Sequence, residues 1–415
     1  MMRALFSGVS GLRNHQTKMD VIGNNIANVN TIGFKSSRVT FKEAFVQLVA
    51  GASRPGVATG GTNPIQIGTG VNLGSIDQLF SQGSLENTGQ PLDLAIQGDA
   101  FFILNNGSSS VYTRAGNLQL DADGNLMQPS TGWVVQGLVA DAQGNFSSGS
   151  SIGNIQIPLG IKAPAQATSQ VNVIGNLDAA AVVGDTHTMS ITVYDGAGTP
   201  VDMQLTFTNT APGAWDWAAT AANATVTAGT GTATFNANGS LASFTYPGGG
   251  ASLSITPNGG TAFTTVVDAG TINGIDGLVG FANPSNAVVS SQNGYQAGDL
   301  LNISVDPRGV ITGFFSNGVT RDMAQIALAS FNNPGGLTRQ GNNVFQETPN
   351  SGLAVIGFAG GTSRSTLTPG ALEGSNVDIS NEFTNMIIAQ RGFQANARVI
   401  TAADEMLNEL VNLRR

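Results

Sequence analysis

Residues 379–411 read ISNEFTNMIIAQRGFQANARVITAADEMLNELV, and their spacing decides the fold. Ile379, Phe383, Met386, Gln390, Phe393, Ala397, Ile400, Asp404, Leu407 and Val411 follow one another at alternating steps of four and three. All but Gln390 and Asp404 are apolar, which is the a/d stripe of a coiled coil. A stripe this narrow must bury against another helix, since each Leu, Ile or Phe taken fully out of water contributes roughly 1.5–3 kcal/mol. The opposite end of the chain carries a matching stripe: Leu5, Val9, Leu12, Gln16, Met19, Ile22 and Ile26. One stripe at each terminus predicts helices that meet each other and then further copies of themselves, the plan of a polymer subunit. Helices whose partners are other copies are expected to order on assembly.

Composition sets the outer limits. Only 10% of the 415 residues are charged, against about 25% in an average globular chain. Gly, at 55 residues, together with Thr, Ser, Asn and Ala, fills the space that charge normally occupies. The formal net charge of −9 argues against nucleic acid as a partner. The absence of cysteine excludes disulfides and thiolate metal sites. No run approaches the roughly 18–20 apolar residues that cross a bilayer, so no membrane insertion is expected. The first residues place their apolar positions on one helical face, with Ser7 and Gly8 interrupting, rather than forming the continuous core of a secretory leader. Export without a cleaved leader is the expectation.

Inward from the N-terminus, the helix should stop near Asn28, where Asn30-Thr31-Ile32-Gly33 ends helical propagation. Residues 36–50 offer a short amphipathic element through Val39, Phe41, Phe45 and Leu48. Residues 51–74, dense in Gly, Thr and Pro, read as an extended connector. From Val71 to about Ile161, apolar and polar residues alternate between turn signals such as Asn105-Asn106-Gly107 and Asp123-Gly124-Asn125. A second β segment runs from about Ala165 to Asn286, and no Lys or Arg occurs from Ala163 to Val305. The character of the first β region then returns. The expected fold class is mainly β with a terminal α-helical coiled coil, an elongated multidomain subunit whose β domains are nested and discontinuous. Its parts are terminal helices at 1–28 and 373–415, a connector at 29–72, a β core at 73–162 and 286–372, and an inserted outer β domain at 163–285.

The inventory for chemistry is thin. His15 and His187 are the only imidazoles and fall in different expected domains. Nucleophile-elbow, phosphate-loop and two-histidine zinc patterns are missing. Asp121-Ala122-Asp123-Gly124-Asn125 has Gly at the fourth position, and Gly132 stands at the twelfth, where a calcium loop needs Glu. It reads as a β-turn. No catalytic residue, cofactor or metal site is expected, and the chain is not expected to be an enzyme.

The terminal segments carry a resemblance. Val21-Ile22-Gly23-Asn24-Asn25-Ile26-Ala27-Asn28-Val29-Asn30-Thr31-Ile32-Gly33-Phe34-Lys35 resembles the N-terminal signature of bacterial flagellar rod and hook proteins. Leu372-Glu373-Gly374-Ser375-Asn376-Val377-Asp378 followed by Met386-Ile387-Ile388-Ala389-Gln390-Arg391 is similar to the matching C-terminal end of that family. Gly98-Asp99-Ala100-Phe101-Phe102 and Tyr112-Thr113-Arg114-Ala115-Gly116-Asn117 resemble its β core. The size of the insert implies a hook subunit, since rod members lack a second β domain this large. The resemblance implies an extracellular place in the hook and basal body. It also implies, as partners, further copies of the chain, a distal rod protein, hook cap and hook–filament junction proteins, and the flagellar type III export apparatus. A rod or hook-associated axial protein is the nearer rival reading. A secreted β-rich adhesin with a coiled-coil stalk is the more distant one, though stalks usually place their coil at one end only.

Overall fold

A computed structural model describes residues 2–56, 60–141, 143–147, 151–158, 160–361 and 364–412. A helix stands at each end, α1 (Met2–Ala27) and α2 (Ile379–Asn412), and β-strands make up most of the regular structure between them. The chain divides into two compact units. The first comprises Met1–Pro158, Ser304–Thr312 and Asp322–Arg415, and the second comprises Leu159–Ile303 and Gly313–Arg321.

In the first unit, α1 ends where its side chains begin to compete with its own backbone. The Asn28 amide donates to the Asn24 carbonyl, and the Thr31 hydroxyl donates to Asn28 Oδ1. Gly33 then takes φ +68°, and a Cβ there would sit 2.7 Å from the Ala115 nitrogen, so only glycine fits. Most of residues 36–50, read as an amphipathic element, and the end of the stretch read as an extended connector are instead sheet. Strands β1 (Ser37–Glu43), β2 (Val46–Ala50), β3 (Ile65–Gly68) and β4 (Val71–Gln78) pair antiparallel as β1 with β4 and β2 with β3. Strand-forming residues such as Val39, Thr40, Phe41, Val46, Ile65, Ile67 and Val71 outweigh the glycines that favour an unpaired chain. At the other end, α2 begins at Ile379 rather than at 373, because Ala371–Glu373 is a strand and Asp378 is the cap. Asp378 Oδ1 accepts from the backbone N–H of Ser380 and Asn381 at 2.8 and 3.2 Å.

The body of this unit is an antiparallel sheet. Phe101–Asn105 is flanked by Ser110–Thr113 and Trp133–Val139, and Thr320–Ser330 pairs with both Trp133–Val139 and Phe101–Asn105. Phe101, Phe102, Ile103 and Leu104 are all buried, the signature of a strand covered on both faces. Rings of Phe80, Phe101, Phe331 and Phe345 meet edge-on or tilted at 5.5–5.8 Å between centroids. Two short ribbons tie early chain to late chain: Leu94–Gln97 with Thr366–Pro369, and Leu85–Asn87 with Ala371–Glu373.

The second unit is a sandwich. One sheet is a meander of Thr186–Tyr194, Pro200–Ala211, Ala214–Ala221, Thr230–Phe235 and Leu241–Phe244. The other contains Ala224–Thr227, Leu253–Pro257, Phe263–Asp268 and Gln170–Asn176 in that order, and Gln170–Asn176 runs parallel to Phe263–Asp268. The Ala/Thr/Gly run at 218–234 is therefore structured, its small residues lying on strands. Both sheets feed one core that includes Val171, Leu205, Phe207, Trp215, Trp217, Leu253 and Ile255. Trp217 stacks on Phe244 at 5.0 Å, and its indole N–H donates to the Thr245 carbonyl.

Acidic residues close turns in both units. Asp121, Asp141, Asp195 and Asp306 each accept through Oδ1 from the N–H four residues on, at 2.7–2.8 Å. A glycine with positive φ stands third after each of them, at 124, 144, 198 and 309. The Asp121 carboxylate turns back on its own loop, as expected for a turn rather than a cation loop.

Candidate assembly site

The termini pair within the chain. A Cβ placed on Gly8 would stand 3.0 Å from Ile400, one on Gly11 would stand 2.7 Å from the Asn396 amide, and one on Gly392 would stand 2.5 Å from the His15 ring. Farther along, Asn25 Nδ2 donates to Glu382 Oε1 at 3.2 Å. One residue number falls as its partner rises, so α1 and α2 run antiparallel. Their contact is built on absent side chains: glycine brings the backbones together, and Ala389 and Ala403 are the fully buried positions among the described side chains of α2.

This pairing face coincides only in part with the stripe read from the sequence, which contributes Ile22 and Ile400 to it. The buried residues of α1 are Gly8, Gly11, Asn14, Ile22 and Asn25, of which only Ile22 belongs to the expected set. Leu5, Leu12, Met19 and Ile26 are half-buried, and Val9 is 40% exposed. On α2, Met386, Phe393, Ala397, Ile400 and Leu407 are half-buried, while Ile379, Phe383 and Gln390 are exposed; the Val411 side chain lies outside the described residues. Spacing gives a period, and rotation about the helix axis is set by where glycine permits approach. The result is that apolar residues face outward: Met2 and Phe6 on α1, and Phe383, Ile387, Ile388, Val399 and Met406 on α2.

The β1–β4 ribbon holds the third side of α1. Asn14 Nδ2 donates to the Val71 carbonyl at 2.8 Å, and the Val71 N–H donates to Ser10 Oγ. Asn25 closes a reciprocal pair with Ser37, donating to its carbonyl and accepting from its N–H. His15 meets Phe41 edge-on at 5.7 Å, and its Nδ1 is buried without a partner. Burial, reinforced by Lys18, pushes the His15 pKa below its ordinary value. Burial likewise pushes Glu382 up, opposed by the bond from Asn25.

The signature residues divide by role. Asn24, Ala27 and Asn30 are exposed, and Asn28 and Thr31 are half-buried at the helix end. Gly33, Phe34 and Lys35 are buried and lead into an ion cluster that the sequence reading did not single out. Lys35 Nζ donates to Glu373 Oε1 at 2.7 Å and to the Ser81 carbonyl at 2.8 Å. Arg114 donates through Nη1 to Glu373 Oε2 at 3.2 Å and through Nη2 to the Gly98 carbonyl. The Gly83 N–H also reaches Glu373 Oε1, and the Gly33 N–H reaches the Glu373 carbonyl. Burial pushes the Lys35 ammonium down while the Glu373 charge holds it up, and the same opposition acts on Arg114. Arg114 also lies over the Phe101 ring at 5.1 Å, and Arg339 covers Phe34 at 4.9 Å. One carboxylate thus joins the segment after α1, the β core and the strand before α2.

Among the described residues, no group of three or more His, Cys, Asp or Glu could hold a metal, and no helix is long and apolar enough to cross a membrane.

Comparison with known proteins follows the same parts of the chain. Residues 5–35 match the flagella basal body rod protein family and residues 368–413 the flagellar basal body rod FlgEFG protein C-terminal family. Residues 95–177 match the flagellar hook protein FlgE/F/G D1 domain, and 169–295 the flagellar basal body protein FlaE D2 domain. The chain is 40% identical to the flagellar hook protein FlgE of Borreliella burgdorferi, with all of both chains covered. It is 35% identical to that of Escherichia coli, over 99% of this chain and 100% of the other. It is also 32% identical to the flagellar basal-body rod protein FlgG of Bacillus subtilis over the full length of both. Among solved structures, Helicobacter pylori flagellar hook protein FlgE2 aligns with a TM-score of 0.50 at 15% identity, covering 69% of this chain and 100% of that one, a likeness of fold.

Proposed function

The chain belongs to the flagellar hook protein family, and from that premise we propose that it polymerises through its terminal helices into the curved, flexible tube of the hook. The observation that carries this reading is the mismatch between paired and apolar faces on α1 and α2. The intrachain contact uses glycine and alanine, while Phe6, Phe383, Ile387 and Ile388 are left to water. Apolar surface of that kind on helices already paired is surface for other helices. A contact between unlike patches that does not close into a ring generates a helical filament.

In this reading the terminal helices supply cohesion, Gln390 and Asp404 set register or face the lumen, and the second unit tunes stiffness. A surface poor in charge and rich in Gly, Thr, Ser and Asn offers many weak, interchangeable contacts, which suits a joint that bends while transmitting torque. The hook and basal body are its place outside the cell. A distal rod protein, hook cap and hook–filament junction proteins would be its neighbours, and the flagellar type III apparatus its route out. Negative-stain microscopy of the purified chain under polymerising conditions tests the reading: long curved tubes are expected, with circular dichroism showing more helix in polymer than in monomer. Short straight tubes would favour a rod protein. A monomer that stays unassembled at every concentration would refute the proposal.

A further inference from the structure

We propose that the core of the second unit binds one ordered water molecule between Asn209 and Trp215. The strand Pro200–Ala211 buries Val201, Met203, Leu205 and Phe207 on one face. Asn209 is the next residue on that face and is itself 1% exposed. Period alone demands an apolar side chain there. The amide that stands in its place has neither Oδ1 nor Nδ2 partnered, and both atoms are buried.

Its neighbour across the sheet has the same problem. Asn209 is in register with Trp215 on the antiparallel strand Ala214–Ala221, and direct partners project to the same face. The Trp215 indole Nε1 is buried and unpartnered as well. The ladder then slips, so that Ala211 rather than Thr210 faces Ala214, a bulge that loosens the strand pair next to the two side chains. The main chain of Asn209 is fully engaged, its N–H donating to the Asp185 carbonyl and its carbonyl accepting from the Gly184 N–H, each at 2.9 Å. The backbone therefore holds the amide in place and cannot swing it to solvent.

A buried donor or acceptor without a partner is costly, and a water that bonds such groups commonly makes about three bonds. One water meets the needs of this set. It accepts from the Trp215 indole N–H, accepts from one Asn209 amide hydrogen, and donates to Asn209 Oδ1, closing a ring with the amide. A water serves the two donors and the one acceptor of this set at once, which an ion of either sign does not.

The test uses the full chain as a monomer, labelled with nitrogen-15 at its tryptophan indoles. Cross-relaxation is measured between each indole proton and long-lived water. Trp215 should show a water cross-peak, and Trp217, whose indole donates to the Thr245 carbonyl at 3.1 Å, should not. Asn209→Leu should abolish the Trp215 peak and shift its resonance. Asn209→Ala removes the same atoms without adding bulk, should the leucine variant not fold. No water peak at Trp215 in the parent chain, or an unchanged peak in a folded Asn209 variant, would overturn the proposal.

Discussion

Glu373 concentrates in one side chain what most of the acids in this protein do not do. Asp121, Asp141, Asp195 and Asp306 spend their oxygens on nearby N–H groups in tight turns, a local use that D-x-x-G spacing makes readable. Glu373 instead holds two cations that arrive from positions far apart in sequence, and nothing in the residues around it announces that. Replacing Glu373 with Ala leaves Lys35 and Arg114 buried without their anion, a change that costs about 3–5 kcal/mol in comparable buried pairs. Denaturant unfolding of the monomer should show a loss of that order, and Arg38→Ala, whose pair with Asp77 is exposed, should change little. His15 gives a second prediction. Its folded pKa lies below 6.5, so the neutral ring's contribution is fully present above that value and is lost as pH falls through the folded one. Helix content followed from pH 8 to pH 5.5 should fall at the acid end, and His15→Phe should flatten the dependence.

At the scale of elements, glycine decides how the helices meet. Gly11→Leu drives a side chain into Asn396, and overpacking of this kind costs about 1–3 kcal/mol. Polymerisation should be lost with it. Gly23 is the control, because nothing stands within 4 Å of a Cβ placed there. Gly23→Ala should stabilise α1 by about 0.5–1 kcal/mol as judged by thermal unfolding, with tube formation intact. The contrast explains what could be read in advance. Both helices were legible because apolar residues recur at three and four over long spans. The contact face was not, because a glycine contributes to packing through what it lacks and leaves no mark on an apolar stripe. The β1–β4 region shows a second limit. Val39, Phe41, Phe45 and Leu48 suit either a helix or a strand over so short a run, and only pairing with β3 and β4 settles the matter. In the insert, the alternation of Met189–Tyr194 marks part of the strand Thr186–Tyr194, whereas the strands within 218–234 are hidden by alanine and threonine, which carry little contrast between faces.

For the whole molecule, the stretch 164–297 of the second unit begins and ends on strands that already lie side by side. Ala163 is the register partner of Gly298, and Lys162 pairs with Asp299 at that same exit. Removing residues 164–297 and joining the ends through Asn-Gly should therefore leave the terminal helices and the Glu373 cluster undisturbed. The shortened chain is expected to form tubes still, with altered bending stiffness under microscopy, while removal of the last forty or so residues should abolish assembly. The opposite pair of results would refute the division of labour between helices and insert. The 338 residues separating Lys35 from Glu373 carry one more consequence. A chain that emerges from its N-terminus first has its lysine and arginine waiting long before their carboxylate appears, and contacts between distant positions form slowly. The first unit would thus stay incomplete until almost the last segment is delivered, a delay that would keep a half-emerged polypeptide threadable if the chain leaves N-terminus first.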